Sequence, residues 1–178
     1  MLEQGLVQVY TGTGKGKTTA ALGLALRAAG RGLQVRIVQF LKPAELQLGE
    51  RMAIASFGLP IRIDAVAGQA GRSSLQPAMA QQARTAINAH LEGLIAAASE
   101  RQFDVLILDE LAFCLARGLA DMTLVRQLII SKDRHVELVI TGREAPKELL
   151  EMADLVTIMD SLKHPYDKGI KARCGIEY

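Results

Sequence analysis

The chain has no tryptophan and only three tyrosines and four phenylalanines, so its core has to be built from aliphatic side chains. Two cysteines, Cys114 and Cys174, are too few for a disulfide scaffold and show no metal-ligand spacing. That pattern points to reduced thiols and a cytoplasmic setting. No uninterrupted apolar run is long enough to span a bilayer. An apolar strand starts within a few residues of Met1, which leaves no room for a signal peptide. A dominant charge is missing as well: 21 basic against 19 acidic side chains give a formal charge of +2. Nothing in that balance draws the chain to nucleic acid or to a membrane. Repeats, low-complexity tracts and linkers are absent, and 178 residues suffice for a single domain, residues 1–178, with a sizeable core.

What is present is an alternation of strand and helix signals. Leu6-Val7-Gln8-Val9 opens a strand, and residues 17–30 read as a helix with Ala20, Ala21, Leu24, Ala25 and Ala28 on one narrow face. Gln34–Phe40 is a second strand, stopped by Lys42-Pro43, and residues 43–60 are mixed and unassigned. Ile61–Val66 alternates apolar and polar side chains, as a less buried strand does. Residues 67–76, with Gly68, Gly71, Ser73 and Ser74, read as a loop. A long helix is expected from Pro77, with Met79, Ala83, Ile87, Leu91, Leu94 and Ala98 at helical spacing and His90 as a partly buried structural residue. Phe103–Glu110 contains a continuous apolar run, the mark of a strand buried on both faces. A helix at 121–130, a strand at 136–141, a short helix at 146–152 and a strand at 155–159 complete the pattern. The expectation is a three-layer α/β fold with a mainly parallel sheet and helices on both faces.

The most informative stretch is Tyr10-Thr11-Gly12-Thr13-Gly14-Lys15-Gly16-Lys17-Thr18-Thr19, between the first strand and the first helix. A strand, a glycine-rich turn and a helix N-terminus make a phosphate cradle, because backbone N–H groups and the helix dipole converge on one anion. Lys17 is placed to reach the outer phosphates of a nucleoside triphosphate, and the Thr18 hydroxyl to hold Mg²⁺. The common pattern G-x-x-x-x-G-K-[ST] is broken at one point: Thr11 stands where the first glycine belongs, and Gly12 follows it.

Asp109-Glu110 closes the buried strand at the sheet edge where ligands collect in parallel sheets. Either carboxylate can face Thr18 across a divalent cation, and the residues alone leave open which one does. Thr141-Gly142-Arg143 ends another strand at that edge, and Arg143 is either a bidentate phosphate contact or an ordinary surface arginine. The tail from Leu162 carries Lys163, Lys168, Lys171 and Arg173 against Asp167 and Glu177. It reads either as a solvated basic segment or as a strap across the nucleotide or a second anionic substrate. No N-K-x-D guanine-reading motif occurs, since Ser131-Lys132-Asp133-Arg134 is not one. The motifs alone admit an ATPase, a kinase or a nucleotide-dependent binding module.

Gly12–Ala21, Val105–Leu111, Val139–Arg143 and Lys163–Tyr178 occur in that order. Together they resemble the corrinoid (cobalamin) adenosyltransferases of the bacterial P-loop type, whose phosphate loop has the same shifted glycine. The resemblance implies a P-loop NTPase (RecA-like) fold acting as a homodimer. It also implies ATP as co-substrate, a reduced corrinoid as acceptor, Mg²⁺ or Mn²⁺ as cofactor, and an electron donor that makes Co(I). In that reaction Co(I) attacks the 5′-carbon of ATP and triphosphate departs, so no activated side-chain nucleophile is needed. The roles carried over are a triphosphate cradle from Gly12, Thr13, Gly14, Lys15, Gly16, Lys17, Thr18 and Thr19, neutralisation by Lys17, and metal binding by Thr18 with Glu110. Family members also carry a Phe-x-Trp pair that helps strip the lower axial base from cobalt. Here the matching stretch is about Ala70–Ser74 and lacks both aromatics, which implies either a preference for corrinoids whose lower base is absent or weakly bound or a different loop in the same role.

Overall fold

A computed structural model describes residues 2–66 and 76–178. The loop expected at 67–76 and the stretch Ala70–Ser74 therefore lie almost wholly outside the described residues. Strand β1 (Val7–Thr11) leads through the glycine-rich turn into α1 (Lys17–Ala29), followed by β2 (Val35–Phe40). Helix α2 (Gly49–Phe57), β3 (Ile61–Val66) and the long α3 (Pro77–Ser99) come next. Then follow β4 (Val105–Asp109), α4 (Leu111–Ala116), α5 (Met122–Ser131), β5 (Glu137–Thr141), α6 (Lys147–Met152) and β6 (Leu155–Ile158). A single 3₁₀ turn, Pro165–Lys168, lies in the tail.

The strands form one parallel sheet in the order β3-β2-β4-β5-β1-β6. Strand β4 shows why the core divides in two. Val105 and Ile107 point to the face covered by α1, with Ala21, Ala25 and Ala28 of that helix packed against them. Leu106 and Leu108 point to the opposite face, where Ile87, Leu91 and Leu94 of α3 and Leu128 of α5 meet them. Every residue of β4 is buried, as its unbroken apolar run predicts. The alanine face of α1 lets that helix approach the sheet closely, which brings its N-terminus and the turn before it to the strand ends.

Two helices were not legible in the sequence. Helix α2 lies in the unassigned stretch; it has no fully buried residue, and it ends on Gly58 in the left-handed conformation. Helix α4 buries Leu111, Ala112, Cys114 and Leu115, so it is apolar nearly all round and shows no periodicity. Helix α5 is capped by Asp121, whose carboxylate accepts from the Thr123 N–H at 2.8 Å. His90 is half-buried on α3, as expected, and its Nε2 has no hydrogen-bond partner among the described residues. Burial first, then the nearby Arg36, holds its imidazole below the usual histidine range.

Candidate active site

Strand β5 lies between β1 and β4 in the sheet, so the phosphate loop after β1 and the acids after β4 are separated by one strand. Thr141, the last residue of β5, fills that gap. Its hydroxyl donates to Asp109 Oδ1 at 2.7 Å and accepts from the Glu110 N–H at 3.1 Å. The Thr18 hydroxyl, one residue into α1, donates to the same Asp109 Oδ1 at 2.7 Å. Thr18 and Asp109, 91 positions apart in sequence, are thus in direct contact at the sheet edge.

The loop takes its shape from close packing on the strand β6 end. A Cβ on Gly12 would stand 2.5 Å from the Met159 carbonyl oxygen, and one on Gly14 2.7 Å from the same atom. Gly12 also has φ +102°, which favours glycine. The Gly14 N–H donates to the Met159 carbonyl at 2.7 Å, so in this structure Gly14 ties the loop to that strand end. The displaced glycine of the motif has a physical reason here, since position 12 has no room for a side chain. Lys17 is buried, and its ammonium donates back to the carbonyls of Gly12 at 2.9 Å and Gly14 at 2.5 Å. Burial, and then the Arg143 guanidinium, pull its pKa down. An incoming polyanion would relieve both effects at once.

Glu110 starts α4 with φ 67°, and Asp109 is almost fully buried. Burial first, and the neighbouring Asp109 next, push the Glu110 carboxyl above the usual range. Arg143 is exposed and, with Thr13, Ser161, His164, Tyr166 and Asp167, lines a cleft of about 450 Å³ beside the loop. Thr18, Asp109 and Glu110 present only oxygen donors. Among the described residues no group of three or more His, Cys, Asp or Glu side chains could hold a metal ion by itself. That is the donor set magnesium accepts when substrate phosphates supply the remaining positions, so the residues fit such an ion.

The tail folds back onto the loop. Glu177 accepts from Lys15 Nζ at 2.8 Å and from Arg173, and these partners hold its carboxyl well below the usual range. The carbonyl end of Tyr178 lies against Gly49 at the start of α2. Lys15 therefore faces the tail in this structure.

Residues 3–178 match the family described as ATP:corrinoid adenosyltransferase BtuR/CobO/CobP. The chain belongs to this family. Corrinoid adenosyltransferase of Escherichia coli (strain K12) is 34% identical over 99% of this chain and 87% of its own length. Corrinoid adenosyltransferase CobA of Salmonella typhimurium (strain LT2) has the same identity and coverage, and the Sinorhizobium corrinoid adenosyltransferase is 35% identical over 99% of this chain and 81% of its own. Among solved structures, the flagellar accessory protein FlaH of Methanocaldococcus jannaschii superposes with a TM-score of 0.56 at 14% identity, covering 88% of this chain and 72% of that one. A KaiC-like protein of Pyrococcus horikoshii OT3 gives 0.56 at 19% identity, with the same coverage. At such identities these two show the fold alone, which is the α/β P-loop architecture expected from the sequence.

Three site residues of this adenosyltransferase escaped the sequence reading. Thr141 was noted only as a strand end, and Met159 only as part of a strand. Lys42 was noted only as a strand stop, yet its ammonium meets Asp109 Oδ2 at 2.5 Å. A charged residue just past the C-terminal end of a parallel strand was the available signal for Lys42. No local signal marks Met159, because its role is to back the glycines of a loop nearly 150 residues away.

Proposed function

We propose that this chain transfers the 5′-deoxyadenosyl group of ATP to the Co(I) centre of a reduced corrinoid and releases inorganic triphosphate. Membership of the adenosyltransferase family along residues 3–178 carries this reading, because the match runs through both the phosphate loop and the basic tail. The cobalt lone pair forms the new Co–C bond while the C5′–O bond breaks, and its electrons leave with the triphosphate. The substrate supplies the nucleophile. The buried Cys114 agrees with that, since burial pushes its thiol up to about 12.

In this mechanism the protein positions and neutralises. The loop Gly12–Thr18 receives the triphosphate, Lys17 turns from its own loop carbonyls to the anion, and Arg143 stands at the rim of the adjoining cleft. Thr18, Asp109 and Glu110 would hold Mg²⁺ or Mn²⁺, which supplies charge neutralisation for the leaving group. Thr141 keeps Asp109 oriented. Reduction of the corrinoid to Co(I) is assigned to a separate electron donor.

Two further features belong to the proposal. No helix among the described residues is long and apolar enough to cross a membrane, which together with two free cysteines supports a cytoplasmic setting. Strand β6 is an edge strand with Leu155, Val156 and Ile158 exposed, a surface suited to a second copy of this chain. Sedimentation is expected to give twice the 19.2 kDa chain mass, and a monomer at micromolar concentration would remove the homodimer.

The test is an anaerobic assay with chemically reduced corrinoid, ATP and Mg²⁺, following loss of Co(I) absorbance and release of triphosphate. Adenosylated corrinoid and triphosphate are expected in equal amounts, with faster turnover on a corrinoid lacking the lower base than on base-on cobalamin. Phosphate or ADP without adenosylation would replace this reading with ATPase chemistry.

A further inference from the structure

The Lys42–Asp109 pair is the contact at this site that the phosphate-loop motif does not account for. Asp109 is a buried carboxylate, 1% exposed at its side chain, whose Oδ1 takes the hydroxyls of Thr18 and Thr141. Its Oδ2 takes the Lys42 ammonium at 2.5 Å, and Lys42 keeps 23% of its side chain exposed. A carboxylate so far out of water needs a positive partner. In this structure Lys42 is that partner.

The backbone around Lys42 is built to present it. Leu41 has φ 60°, an uncommon conformation for a leucine, and it is held there while its N–H donates to the Val66 carbonyl at 3.0 Å. Arg51 of α2 then clamps the turn from outside, donating to the carbonyls of Lys42 at 3.3 Å and Pro43 at 2.6 Å. Arg51 is itself held by the buried Gln39 at 2.8 Å. A strained residue and an arginine clamp together fix the root of the Lys42 side chain, whose four-carbon stem reaches Asp109 from a partly exposed position.

We propose that Lys42 is a tethered counter-ion, holding the divalent cation's place on Asp109 until cation and nucleotide bind together and then passing to the polyphosphate. The inference rests on the reading of Asp109 as a cation site. A cation arriving alone must expel the ammonium from Asp109 and leave it without an anion. A cation arriving with a polyphosphate gives both charges new partners. Lys42 therefore couples the two ligands, so that each raises the affinity for the other beyond their chelation in solution. It also adds a third positive side chain, beside Lys17 and Arg143, at the site where the triphosphate charge appears.

The experiment measures Mn²⁺ binding by electron paramagnetic resonance and tripolyphosphate binding by calorimetry, on the wild type, Lys42→Met, Lys42→Arg and Asp109→Asn. Thermal unfolding confirms that each variant is folded. Lys42→Met is expected to bind Mn²⁺ without nucleotide about tenfold more tightly than the wild type, and metal-free tripolyphosphate about tenfold more weakly, within the usual range of such couplings. Lys42→Arg keeps the charge and is expected to restore weak Mn²⁺ binding. A lysine with a merely structural role would not move Mn²⁺ affinity upward. Equal Mn²⁺ affinity of the empty wild type and Lys42→Met overturns the inference and leaves the metal site standing if the ATP-loaded wild type still binds Mn²⁺. Undiminished Mn²⁺ binding by ATP-loaded Asp109→Asn would show that the cation sits elsewhere, and the inference then falls with the site.

Discussion

Lys17→Ala is expected to weaken ATP binding by about 100-fold, a loss of ~3 kcal/mol. Lys17 is a buried ammonium whose only hydrogen bonds among the described residues go to two carbonyls of its own loop. Burial and Arg143 both oppose its charge in this structure. A triphosphate removes that penalty and offers charge-assisted hydrogen bonds, which are about twice as strong as neutral ones. Alanine forfeits both gains. Lys17→Arg is not expected to rescue, because the Gly12 and Gly14 carbonyls close round a compact ammonium and leave no room for a planar fork. Calorimetry with ATP and Mg²⁺ reads the effect, and an affinity within threefold of the wild type would remove Lys17 from the triphosphate site.

The other large effect is expected at Asp109, and its comparison with Glu110 decides which carboxylate serves the metal. Asp109→Asn should lower metal-dependent adenosyl transfer by about 10²–10³-fold, the usual cost of one electrostatic stabiliser of a developing anion. The amide would carry no charge towards a cation, and its NH2 would face either the Thr18 and Thr141 hydroxyls or the Lys42 ammonium, all of which now donate to Asp109. Glu110→Gln should impair turnover more than nucleotide binding, and by less than Asp109→Asn. Glu110 lies outside the Thr18–Thr141–Lys42 network on the Asp109 oxygens, and burial with the neighbouring charge already favours its neutral form. The checks are kcat with ATP and reduced corrinoid, and ATP affinity measured separately. A reversed ranking would transfer the metal to Glu110, and unchanged turnover in both variants would leave the proposed metal site without support.

Much of the scaffold was legible because its signals are local. The bounds expected for β3 and the start expected for α3 agree with those observed, since alternation and helical spacing report burial on one face. The apolar run of β4 reported burial on two. Helix α4 is not legible because burial on nearly every side erases the period, and α2 is a short helix that buries no residue fully.

By itself the sequence determined the α/β layering, the phosphate loop with its displaced glycine, the acids at the end of a buried strand and the family. Each of these is a short pattern whose residues are neighbours in the chain. Only the tertiary structure decided which acid meets Thr18, what fills the space between them, and which cation is present when no ligand is. Strand order is the reason: β5 enters between β1 and β4, and β2 lies on the far side of β4. That order delivers Thr141 and Lys42 to Asp109 from positions 32 and 67 residues away. No local periodicity encodes which strands become neighbours, because that choice is made by the packing of all the layers together.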